Sequence, residues 1–149
     1  FEHTKRLVFT RNVFRETLRL YPPITFLPRV ANEATRLGGY PVRRGALVMV
    51  APWVLHRHAG YWRDPHAFDP DRFAPEREGE ITSGAYIPFG IGPRVCAGAA
   101  FAQVEAVLLI ARLFRRFDFA LVAPERIRPA ARLTTRPAEQ VMCRVGRAS

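Results

Sequence analysis

Apolar residues recur at helical spacing from residue 4 to 21, at Leu7, Val8, Val13, Phe14, Leu18 and Tyr21 with Thr17 among them. This predicts an amphipathic helix, which the Pro22-Pro23 pair then ends. Residues 24–31 and 46–51 read as strands. Gly38-Gly39 and Arg44-Gly45 are turn signals that bracket a short strand at 40–43. From 52 to 88 the periodicity fades into a stretch rich in proline and aspartate. So long an irregular stretch is uncommon in a packed domain unless it serves function. A helical pattern returns over 97–116, with Phe101, Val104, Val107, Leu108, Ala111 and Phe114 on its apolar side. Arg112, Arg115 and Arg116 suit the negative end of that helix. Residues 117–122 and 141–145 read as late strands, and no internal repeat or low-complexity segment stands out.

The chemistry concentrates just before the second helix, in Pro88-Phe89-Gly90-Ile91-Gly92-Pro93-Arg94-Val95-Cys96-Ala97-Gly98. Gly92 and Gly98 open backbone conformations closed to other residues and let a flat ligand come close. Pro88 and Pro93 stiffen the loop. Cys96 lies at a helix N-terminus, where unpaired amides and the positive dipole end stabilise an anionic sulfur. Phe89 can shield the sulfur from water, and Arg94 adds positive charge. These are the requirements of a thiolate that ligates an iron porphyrin: an anionic ligand, donors to the sulfur, a dry surround and a cation for the propionates. Cys143 has no such setting and reads as a buried packing cysteine. His56 reads as a packing or hydrogen-bonding residue, and His3, His58 and His66 form no metal spacing.

Phe89-x-x-Gly92-x-x-x-Cys96-x-Gly98, with Arg94 two residues before the cysteine, resembles the haem-binding loop of the cytochrome P-450 (haem-thiolate monooxygenase) family. Two upstream segments are similar to the same family in the same order: Glu16-x-x-Arg19 on the first helix, and Asp69-Pro70-Asp71-Arg72-Phe73 in the meander before the loop. Phe26-Leu27-Pro28-Arg29 resembles the strand that passes beside the haem. The resemblance implies the C-terminal part of that fold, mainly α with small β-sheets (α+β): the ExxR helix, the meander, the cysteine loop and a long helix after it.

It also implies roles. Cys96 would be the metal ligand. Phe89, Arg94, Gly98 and Arg29 would bind the cofactor, haem b (iron protoporphyrin IX). Glu16, Arg19 and Arg72 would form a buried structural triad, and Ile24, Thr25 and Phe26 would face the substrate. The implied reaction inserts one oxygen atom of O2 into a small organic substrate. Its electrons come from NAD(P)H through a redox partner, either a ferredoxin or a flavoprotein reductase. The family's acid-threonine pattern does not occur in these 149 residues, so no catalytic residue is assigned. The chain is expected to be the C-terminal part of one domain, inactive by itself. The alternative is a haem-thiolate protein without oxygenase activity, such as a sensor or pseudoenzyme. Ile91 and Ala97 depart mildly from the family's usual choices.

Composition narrows the partners. The chain is 48% hydrophobic, which excludes wholesale disorder. It shows no apolar run long enough to span a bilayer and no signal-peptide pattern. Two cysteines, one read as a ligand, argue against a disulfide framework and for a reducing cytoplasm, with an upstream anchor left open. Lys and Arg number 23 against 13 Asp and Glu, for a net charge of +10. Such a balance can signal nucleic acid. Here the basic residues are scattered, adjoining only in pairs such as Arg43-Arg44 and Arg115-Arg116. The expectation is no nucleic acid, with Arg94, Arg112, Arg115 and Arg116 available to attract an acidic electron-transfer partner.

Overall fold

The computed structural model describes residues 2–131 and 134–148. The helix expected over 4–21 is two: α1 (Glu2–Lys5) and α2 (Val8–Leu20). They are parted at Leu7, whose amide closes a tight turn onto Thr4 O at 3.2 Å. Burial on α2 does not follow the apolar stripe. Asn12, Glu16, Leu18, Arg19 and Leu20 are buried, whereas Thr17 and Tyr21 are exposed. The buried side is partly charged because the meander's helical turn Pro70–Phe73, carrying Arg72, packs against it.

Strand β1 (Leu27–Val30) begins three residues later than expected. Strand β2 (Thr35–Leu37) carries no apolar alternation and was not foreseen. It pairs with β3 (Tyr40–Val42) across Gly38 and Gly39, which hold φ of +55° and +86°. Two positive φ values in a two-residue loop are the hairpin geometry that glycine supplies without steric cost. β4 (Leu47–Val50) pairs antiparallel with β1, Leu27 opposite Val50. After α3 (Pro52–Leu55) the chain runs through short helical turns to α4 (Ala99–Phe114). β5 (Phe117–Leu121) later pairs with β8 (Cys143–Arg147). Between them lies a second unforeseen hairpin, β6 (Pro129–Ala131) with β7 (Thr135–Pro137), tied to the end of α2 by Thr135 N donating to Pro23 O at 2.7 Å. Cys143 is exposed on β8, not buried as expected, because a two-stranded sheet covers neither face. Among the described residues no helix is long and apolar enough to cross a membrane.

The core forms in the irregular stretch. Trp62, Phe73 and Ala85 are buried together, with Ile81 and Tyr86 packed on them. Arg15 lays its guanidinium 4.4 Å from the Phe73 ring centre. Phe73 is fully enclosed, so Phe73→Ala is expected to cost about 3–5 kcal/mol, read as a lowered urea midpoint. On α4 only Val107 is buried. Phe101 and Phe114 remain 70% and 63% exposed, so most of its predicted apolar side lies uncovered here.

Candidate functional site

Glu16 and Arg19, three apart on α2, are both fully buried and meet as a two-pronged pair. Arg19 Nε donates to Glu16 Oε2 and its terminal nitrogen to Oε1, each at 2.7 Å. The remaining Arg19 protons go to the carbonyls of His56, Pro65 and Ala67 at 2.7–2.9 Å. All five guanidinium protons are thereby used. Arg72 approaches Glu16 Oε1 from the meander at 3.4 Å and donates to the carbonyls of Arg63 and Asp64. Asp64 holds φ of +46°, a left-handed conformation that aspartate tolerates better than most residues. The structure thus brings Glu16, Arg19 and Arg72 into one cluster.

Three further participants had only partial sequence signals. The backbone amide of Asp69 donates to Glu16 Oε1 at 2.8 Å. The Asp69 side chain accepts from Asp71 N at 3.1 Å and so caps the turn that carries Arg72. Aspartate before a proline at a helix start is a readable capping signal. Trp62 places its ring 5.1 Å from the Arg19 guanidinium carbon. Tyr86 donates its hydroxyl to Arg15 O at 3.0 Å, and burial pushes its phenol well above the ordinary value.

His56 is fully buried. Burial, with Arg19 and Arg57 nearby, pulls its pKa from 6.5 down to about 4. The unfolded chain therefore takes up the proton first as pH falls. The stability this neutral imidazole contributes is fully present above pH 6.5 and is progressively lost towards pH 4. The total is on the order of 3 kcal/mol. Denaturant midpoints measured between those pH values should fall with acid, and His56→Gln should flatten that dependence.

The cysteine loop is built by backbone bonds. Gly90 N donates to Ile87 O at 3.0 Å, Val95 N to Gly92 O at 3.0 Å and Cys96 N to Phe89 O at 2.9 Å. Gly90 and Gly92 hold φ of +81° and +74°, values that a side chain would strain. Phe89 is half-buried, while Arg94, Cys96 and Gly98 are exposed. The helix starts at Ala99, two residues later than expected, with Gly98 as its cap. Its first amide, Ala99 N, donates to Cys96 O at 3.2 Å, and Ala102 N donates to Gly98 O at 2.9 Å. Strand β1 runs beside the loop: a Cβ placed on Gly90 would stand 4.0 Å from Leu27 Cδ1. Arg29, two positions on, shares that face of the strand and is exposed, donating to Pro28 O at 2.8 Å. Of the residues expected to face substrate, Ile24 and Phe26 are exposed, but Thr25, at a bend before β1, is 5% exposed. A cleft of about 480 Å³ between α2 and α4, walled by Arg11, Arg15, Tyr86 and Gln103, does not include Cys96.

These residues fit a flat iron macrocycle. Among the described residues no group of three or more His, Cys, Asp or Glu side chains could hold a metal. A lone thiolate suits an iron that brings its other ligands with it. Ile91 and Val95 on the loop and Phe101 on the first turn of α4 are exposed apolar residues, and Arg94 and Arg29 are exposed cations. The side chain of His3 lies outside the described residues. His58 and His66 join no such cluster.

A single cysteine on a glycine-shaped loop, braced by a buried carboxylate–guanidinium cluster, is the architecture of a haem-thiolate chain. Residues 1–144 match the family model for cytochrome P450, and the chain belongs to that family, whose cofactor is haem. Over 129 residues it is 40% identical to the cyclooctatin synthase of Streptomyces melanosporofaciens, covering 87% of this chain and 28% of that protein. It is 36% identical over 125 residues to a sterol 14alpha-demethylase of Mycolicibacterium vanbaalenii, covering 83% and 28%. The crystal structure of the cytochrome P450DA heme domain aligns with a TM-score of 0.87 at 30% identity, covering 94% of this chain and 31% of that one. The chain therefore spans under a third of the length of these relatives.

Proposed function

We propose that residues 1–149 are the C-terminal, iron-ligating part of a haem-thiolate monooxygenase acting on a small organic substrate. The observation that carries this is Cys96: exposed, alone, and held by Phe89 O at the head of α4. When bound, haem supplies O2 reduction, in which one oxygen atom enters the substrate and the other leaves as water at the expense of two electrons and two protons. Cys96 would supply the anionic sulfur that holds its iron. The positive dipole end of α4 would stabilise its negative charge. Arg94 and Arg29 hold the propionates, and Phe89 limits water at the sulfur. Arg94, Arg112, Arg115 and Arg116, all exposed, attract an acidic ferredoxin or flavoprotein reductase that passes on electrons from NAD(P)H. A cytoplasmic location suits two unpaired cysteines.

The test supplies the full-length, haem-loaded protein with a redox partner, NAD(P)H and isotopically labelled dioxygen, over a panel of apolar organic compounds that includes sterols. One labelled atom per product molecule is expected. A haem-loaded protein that transfers no label to any compound would favour a sensor.

A further inference from the structure

His56 hydrogen-bonds both the triad helix and Ile87, the residue just before the cysteine loop. Its Nδ1 lies 3.2 Å from Arg19 O on α2, and its Nε2 accepts from Ile87 N at 2.9 Å. An amide can only donate, so Nε2 carries the lone pair and Nδ1 carries the proton given to Arg19 O. Ile87 is buried and its own carbonyl accepts from Gly90 N. Two residues on, the Phe89 carbonyl holds the Cys96 amide.

We propose that His56 is a positioning residue that pins the start of the cysteine loop to α2, and that its protonation releases the loop. This rests on Cys96 being the ligand. A second proton on the ring would have to sit on Nε2, pointing donor against donor at the Ile87 amide. Among the described residues no acid pairs with the ring. Arg19 faces the ring from α2, and Arg57 follows it in the chain, both cationic. Tyr86, on the loop side, stacks 5.4 Å away and is neutral, since its phenol is pushed up. Glu16 is already engaged by Arg19 and Arg72. The geometry therefore couples acid to the segment that carries the thiolate.

Two substitutions separate the ring's contacts. In His56→Asn the amide replaces Nδ1 but cannot reach Ile87. In His56→Gln the side-chain oxygen reaches the Nε2 position and does not titrate. Amide hydrogen exchange of the full-length protein, resolved to Ile87 and corrected for intrinsic rates, reads the contact without reference to haem. His56→Asn should lower Ile87 protection about tenfold at neutral pH, the loss of one hydrogen bond. The wild type should lose the same protection as pH approaches 4, and His56→Gln should keep it. In the haem-loaded protein the acid midpoint of the thiolate-type carbon monoxide band should move lower in His56→Gln. Equal Ile87 protection in His56→Asn and wild type, or an unchanged acid midpoint in His56→Gln, overturns the proposal. If wild type shows no thiolate-type band at any pH, the ligand reading fails instead, while Ile87 exchange still decides the His56 contact.

Discussion

Replacing Cys96 by alanine in the full-length, haem-loaded protein removes the shifted carbon monoxide absorption band that a thiolate-ligated iron gives. The loss is expected to be complete, because no other cysteine or metal-binding cluster among the described residues stands ready to replace the sulfur. Cys143 sits on β8, far along the chain and paired opposite Leu121. The folded state should barely change. Cys96 is exposed, and the bonds that shape its loop run through backbone atoms, Cys96 N to Phe89 O and Ala99 N to Cys96 O. Exposed substitutions of this kind stay within about 0.5 kcal/mol. The discriminating measurement is therefore a difference spectrum taken beside a denaturation curve. A lost band with an unmoved midpoint is the expected pair of results. A band that survives Cys96→Ala would sink the ligand assignment.

Glu16→Gln is expected to be the most damaging change to the fold. Glu16 is fully buried and, among the described residues, is the only carboxylate paired with Arg19, while Arg72 reaches it from the meander. Removing its charge strands two buried guanidinium groups, at a cost of about 3–5 kcal/mol. That is a large part of the 5–15 kcal/mol that holds a typical domain together. Arg19→Lys should do nearly as much harm. A single ammonium has three protons, and cannot serve two carboxylate oxygens and the carbonyls of His56, Pro65 and Ala67 at once. Both variants should give little haem-loaded protein and a lowered urea midpoint. Arg77→Ala provides the contrast. Arg77 reaches Asp69 and Glu80 only at 3.6 Å near the surface, where such pairs contribute about 0–1 kcal/mol. An unchanged midpoint in Glu16→Gln would show that the cluster does not brace the meander.

Much of the site was legible because it depends on local geometry. Glycines, prolines and a cysteine at fixed spacing constrain the backbone within a few residues, so the loop from 88 to 98 could be read before its neighbours were known. The spacing of Glu16 and Arg19 puts them on one helical face by geometry alone. Other features were less legible. The β6 and β7 strands are three residues each, too short for alternation to show. His56 could be read as a hydrogen-bonding residue, but its partners lie 37 and 31 residues away, and no local pattern names them.

The chain's own order of residues therefore marked where α2, α4 and the cysteine loop lie and made Cys96 the candidate ligand, since each of these readings follows from neighbours in sequence. Tertiary structure decided which faces are covered. On α2 it buried Asn12, Glu16 and Arg19 rather than Thr17, because the meander arrives with carbonyls and an arginine that only polar partners can satisfy. On α4 it left Phe101 and Phe114 open, since burial depends on what packs against a helix and not on the helix's own period.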